Sequence, residues 1–147
     1  MTLKVMRWFG AIAVLTVGAV HLQQYLGDYH AIPTIGPLFL LNAIGSGGVA
    51  LGLLLPIERW LGDRRGEIAV GLLALGGVTI GLGSLIALYI TETSTLFGFS
   101  EGTFETVMWF AVVSEAAAVV LLTPVAVANL VSSWATRATA GPRAVRS

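Results

Sequence analysis

The sequence predicts an all-α protein: a bundle of four membrane-spanning helices, joined by short loops, with both termini on the cytoplasmic side. Three observations predict it. The chain of 147 residues is 56% hydrophobic and only 11% charged, with a mean hydropathy of +0.86, whereas soluble domains carry roughly a quarter charged residues. Four apolar runs reach the length of about 20 residues that a spanning helix needs. All eight Lys and Arg fall in alternate segments between those runs.

The first span covers about residues 6–26, the second 35–55, the third 68–90 and the fourth 106–130. Pro56 closes the second, because proline cannot donate to a helix and clashes with the preceding turn. The N-terminus holds Lys4 and Arg7, the link "PIERWLGDRRGE" holds Arg59, Arg64 and Arg65, and the tail holds Arg137, Arg143 and Arg146. The links "DYHAIPT" and "TETSTLFGFSEGTFE" have no basic residue except histidine and carry Asp28, Glu92, Glu101 and Glu105. Lys and Arg resist translocation, so the basic segments are expected in the cytoplasm. This fits a multi-pass protein of the bacterial inner membrane. The first span is expected to stay in place, since "LQQYLG" follows it where a signal peptide would carry a small-residue cleavage site. Residues 131–147 are small, polar and basic, and are expected to form a frayed helix end and a disordered tail.

Composition also excludes function classes. The formal net charge is zero, so nothing draws the chain to nucleic acid, and there is no cysteine for disulfides, thiolate metal sites or thiol redox chemistry. No metalloprotease, phosphate-loop or dinucleotide motif is present.

Helices in lipid associate through close backbone approach at small residues. Gly48 and Gly52 in the second span, and Gly77 and Gly81 in the third, are therefore expected packing positions, within the bundle or against a second copy. Polar residues inside the hydrocarbon carry the functional interest, because they are costly there and face a protein interior or a water-filled cavity. Counting helical rise from the outer end, His21 and Ser84 lie roughly 9 Å deep, Asn42 roughly 10 Å and Glu115 roughly 13 Å. Each helix thus gives one residue to a polar layer in the outward half: His21, Asn42, Ser84 and Glu115. Ser46 lies one turn below Asn42, and Gln24 and Tyr25 lie above His21, as candidates to line an outward cavity. His21 and Glu115 would form a pair able to exchange a proton, or a hydrogen-bonded network that fixes helix register. Leu96, Phe97, Phe99 and Phe104 in the last link would anchor in the membrane surface, or cover the layer as a lid. No cofactor is expected. A bis-His haem would need His21 and His30 on one plane from one short segment, and a metal at His21, Glu115 and Met108 would be short of ligands.

The stretches "RWFGAIAVLTVGAVHL" and "YHAIPTIGPLFLLNAIGSG" resemble the small four-helix DoxX-like membrane proteins of bacteria and uncharacterised actinobacterial membrane proteins. The resemblance covers the first two spans and implies the same four-helix fold and topology. It assigns no role to Asn42 or Glu115. Three functions are then expected in this order: an accessory subunit acting with a membrane protein partner or a second copy; a proton-linked small transporter or sensor using Glu115 and His21; and a partner of a membrane oxidoreductase that binds a quinone-like molecule through His21 and Tyr25.

Overall fold

The structure, a computed structural model, describes residues 1–100 and 106–139, with side chains up to Ser132. Its helices are α1 (Leu3–Leu26), a 3-10 turn at Tyr29–Ala31, α2 (Ile35–Leu54), α3 (Ile57–Leu61), α4 (Asp63–Thr93) and α5 (Thr106–Thr139). Four of them, α1, α2, α4 and α5, are long and apolar enough to cross a membrane. The chain is thus a multi-pass membrane protein by the length and composition of its helices, with no strand among the described residues. Helix α5 continues through Pro124 and past Leu130 to Thr139, so the first part of the expected tail is helical. Glu101, Phe104 and Glu105 of the last link, and Arg143 and Arg146 of the tail, lie outside the described residues.

Local chemistry sets the element ends. The Thr2 hydroxyl accepts from the Val5 amide and caps α1. At the other end of α1 the chain turns sharply. Thr34 has φ 69°, and the Ile35 amide donates to the Pro33 carbonyl at 2.8 Å, closing a γ-turn. Gly36 then lies so close to the 3-10 turn that a Cβ would sit 2.8 Å from the Tyr29 carbonyl oxygen. At the opposite end Pro56 stops α2, and Arg7 completes it. The Arg7 guanidinium donates to the carbonyls of Leu53 at 2.6 Å and Leu55 at 2.7 Å, and pairs with Glu58. One side chain thereby supplies donors to helix-end carbonyls that lack intrahelical partners.

Helix α1 packs along α2 and α5, and α5 packs along α4. The seam between α2 and α4 is the loosest side of the bundle. The dense core lies toward the basic end, where Ala11, Val14, Ala50, Leu53, Val70, Ala74, Ala118 and Leu122 are buried together. Three of the four expected packing glycines serve there or just beyond. A Cβ on Gly52 would meet Leu73 at 2.8 Å, one on Gly77 would meet Leu122 at 2.5 Å, and one on Gly81 would meet the Glu115 carbonyl oxygen at 2.9 Å. Gly48 does not pack within the chain: it is exposed, and a Cβ there would meet nothing within 4 Å. Gly48 and Gly52 are one turn apart, but helical spacing alone does not say where along its length α2 leaves its neighbours.

Candidate functional site: a polar cavity at the acidic end

Two close helix contacts build the site. Gly18 lets α1 approach α2, where an added Cβ would sit 2.9 Å from the Ser46 Cβ and 3.2 Å from the Ala43 carbonyl oxygen. His21, nearly one turn further along α1, is thereby held inside the bundle at 9% exposure. Gly81 does the same for α4 against α5 at the backbone of Glu115, and Ser84 follows nearly one turn later. Glu115 is only 2% exposed.

The expected layer of His21, Asn42, Ser84 and Glu115 comes together at one cavity of about 330 Å³, which all four line. The size is that of a small-molecule site. Its hydrogen bonds run in one direction. The Ser46 hydroxyl donates to Asn42 Oδ1 at 3.0 Å, and Asn42 Nδ2 donates to the Ser84 hydroxyl at 2.6 Å. The Ser84 hydroxyl in turn faces the Glu115 carboxyl. His21 Nδ1 lies 2.9 Å from the Val17 carbonyl oxygen. A carbonyl can only accept, so Nδ1 carries the hydrogen, and Nε2 of the neutral ring presents a lone pair. Nε2 lies 3.9 Å from Glu115 Oε1, beyond hydrogen-bonding distance. Glu115 Oε2 is buried with no hydrogen-bond partner among the described residues. With the carboxyl ionised and the ring neutral, the layer therefore ends in two neighbouring acceptors.

An aromatic column walls the cavity. His21 and Phe39 have ring centroids 5.0 Å apart, Phe39 stacks on Tyr29 at 4.7 Å, and Tyr29 meets Phe99 edge-on at 5.7 Å. The last link closes over it by a tight turn. Phe97 and Gly98 both have positive φ, and Leu96 and Phe99 exchange backbone hydrogen bonds of 2.7 and 3.0 Å. Leu96 and Phe99 thus line the cavity while Phe97 points away. On the side of the α2/α4 seam, the lining residues Leu38, Thr79 and Gly83 are themselves exposed. A Cβ on Gly83 would meet nothing within 4 Å. The cavity opens there, toward the flank of the bundle.

Gln24 lines the cavity as expected, but Tyr25 and Ser46 do not. Tyr25 sits edge-on to His30, with ring centroids 6.3 Å apart. Ser46 is fully buried behind Asn42 and supports it. The donor pair imagined for a quinone, His21 with Tyr25, is therefore not assembled. Phe39 and Tyr29 are the residues that sequence reasoning missed as cavity walls, whereas Leu96 and Phe99 stand where the lid expected of the last link would lie. Phe39 and Tyr29 each stand near a helix end, where an aromatic side chain settles in any case. Only the γ-turn and the close approach at Gly36 bring Tyr29 over Phe39. Among the described residues, no group of three or more His, Asp or Glu side chains could hold a metal ion.

Compared with protein-family models, with curated proteins and with solved structures, the chain matches none.

Proposed function

We propose that this membrane protein binds a lipid-soluble small molecule in the acidic-end cavity and admits it through the seam between α2 and α4. The observation that carries this reading is a mostly apolar cavity of ligand size, open at the flank, with the unpaired Glu115 Oε2 at its polar end. A buried polar group without a partner is costly, and a bound polar head would supply one. Extraction from native membranes in mild detergent, followed by mass spectrometry, tests this. The wild-type protein should carry a near-stoichiometric small molecule that Gly83→Phe loses. Equal small-molecule content in the two proteins would reject the reading.

The accessory-subunit reading keeps one specific support. Gly47 and Gly48 present open space on α2, where a partner helix would approach closely. The same extraction distinguishes it, because a stoichiometric partner protein with an empty cavity favours the accessory role. Kinship with the DoxX-like proteins remains part of the proposal and agrees with the number of spans. So does the orientation in a bacterial inner membrane with both termini cytoplasmic, which rests on the distribution of Lys and Arg. Single cysteines at Ser94 and Asp63 check it. An impermeant thiol reagent applied to intact cells should label position 94 and spare position 63, and the reverse pattern would invert the topology.

A further inference from the structure

We infer that the molecule taken into this cavity is a lipophilic amine, its ammonium group seated between Glu115 Oε2 and His21 Nε2. The inference rests on the binding function proposed above and deepens it by naming the head group.

The direction of the hydrogen-bond network argues for it. Ser46 donates to Asn42, Asn42 to Ser84, and Ser84 is turned to the carboxyl. The ring N–H of His21 is committed to Val17. With the carboxyl ionised, no hydrogen bond of the layer reaches Glu115 Oε2. Nε2 and Oε1 face one another across 3.9 Å. A carbonyl head, as in a quinone, would add another acceptor to this group. A hydroxyl would give one hydrogen. A primary ammonium gives three and can donate to both acceptors at once.

Charge argues in the same direction. A buried carboxyl stays ionised only beside a compensating charge, and otherwise takes up a proton. Among the described residues, His21 is the one basic side chain that lines this cavity. Lys4 and Arg7 lie at the start of α1, Arg59 lies in α3, and Arg64 and Arg65 lie in the first turn of α4, at the opposite end of the bundle. A ligand cation would bring that charge with it. The walls suit its body: Phe39, Leu38 and Ile80 are apolar, and the aromatic faces of Phe39 and Tyr29 are favourable neighbours for a cation. The exposed Gly83 leaves room for an apolar tail to extend into the bilayer.

The test is a matched series with one apolar body: phenylbutylamine, phenylbutanol, phenylbutanoate and the quaternary trimethylammonium analogue. Binding is measured by calorimetry to the protein in lipid nanodiscs, with empty nanodiscs subtracted for partition. The amine should bind about tenfold or more tighter than the alcohol, as hydrogen bonds to a charged group exceed neutral ones. The quaternary analogue, which has charge but no N–H, should fall between them. The carboxylate should bind weakest. Glu115→Gln should remove the preference for the amine, and Gly83→Phe should remove binding of the whole series. Equal affinity for amine and alcohol in the wild-type protein would overturn the amine assignment while leaving the cavity as a binding site. Preference for the carboxylate would also overturn it and would assign the positive charge to His21. Failure of all four to bind would reject the amine assignment and the binding function together. The wild-type series decides the matter even if Glu115→Gln fails to fold.

Discussion

The two ends of the bundle use the same small residues to opposite effect. Toward the basic end, Gly52 and Gly77 let Leu73 and Leu122 fill the space between helices, and the apolar core is continuous. Toward the acidic end, Gly18 and Gly81 bring backbones together at the edges of a polar layer, and the space between is left as a cavity. The difference teaches that close helix approach does not by itself produce a solid interior. What fills the centre is decided by the next side chain along, leucine in one half and His21 or Glu115 in the other. The basic half is filled and the acidic half is hollow.

Substitutions should separate the two. The largest loss of stability is expected at Gly77. A leucine there would drive its Cβ to 2.5 Å from Leu122 and 3.1 Å from Val14, both fully buried. Overpacking of a filled core costs about 1–3 kcal/mol or more. Thermal melting in detergent should show a clear drop, and an unchanged midpoint would mean that the basic half is looser than described. Arg7→Met comes next. It removes the donors to Leu53 and Leu55 and the ion pair with Glu58. Hydrogen bonds from charged groups contribute about 1.5–3 kcal/mol, and the exposure of Glu58 places this case at the lower end. Cleavage by protease at the α2–α3 link should become faster.

Smaller effects are expected in the acidic half. Glu115→Ala and His21→Ala, alone and together, should show a coupling of about 0.6 kcal/mol, the average for polar contacts in membranes. A coupling of several kcal/mol would make the pair a structural element and erase the contrast between the halves. Gly48→Ala is the smallest. With nothing within 4 Å of the new methyl group, it should leave the melting midpoint unchanged or raise it slightly, through the better helix propensity of alanine. A marked loss would reveal a partner on that face.

Much of this architecture is legible in the sequence. The four spans follow from run length, and the common level of the polar layer in the bundle follows from helical rise. The layer's four members converge as expected, since each is too costly to leave facing lipid. Other features depend on the rotation of one helix against another, which spacing does not encode. Gly48 turns away from the bundle although Gly52 packs, and Tyr25 turns to His30 although His21 faces inward. In the sequence, Arg7 reads only as a marker of topology. Its role at the end of α2 requires knowing that Pro56 brings Glu58 and the Leu53 and Leu55 carbonyls to one point.

The α2/α4 pair has the mechanics of a sprung peg. At the basic end it is held by the short α3, by Gly66 against the Glu58 backbone, and by Gly52 against Leu73. At the acidic end, across the mouth of the cavity, a 2.6 Å hydrogen bond from Asn42 to Ser84 joins the arms. Helix α2 has 20 residues, a lever of about 30 Å. A tilt of about 5° at the fixed end of such a lever carries its tip through about 2–3 Å. Such a tilt would part the jaw that bears Leu38 and Gly83 by about 2–3 Å while the grip at the other end stays closed, and the clasp that would have to release, Asn42 on Ser84, is itself part of the polar layer.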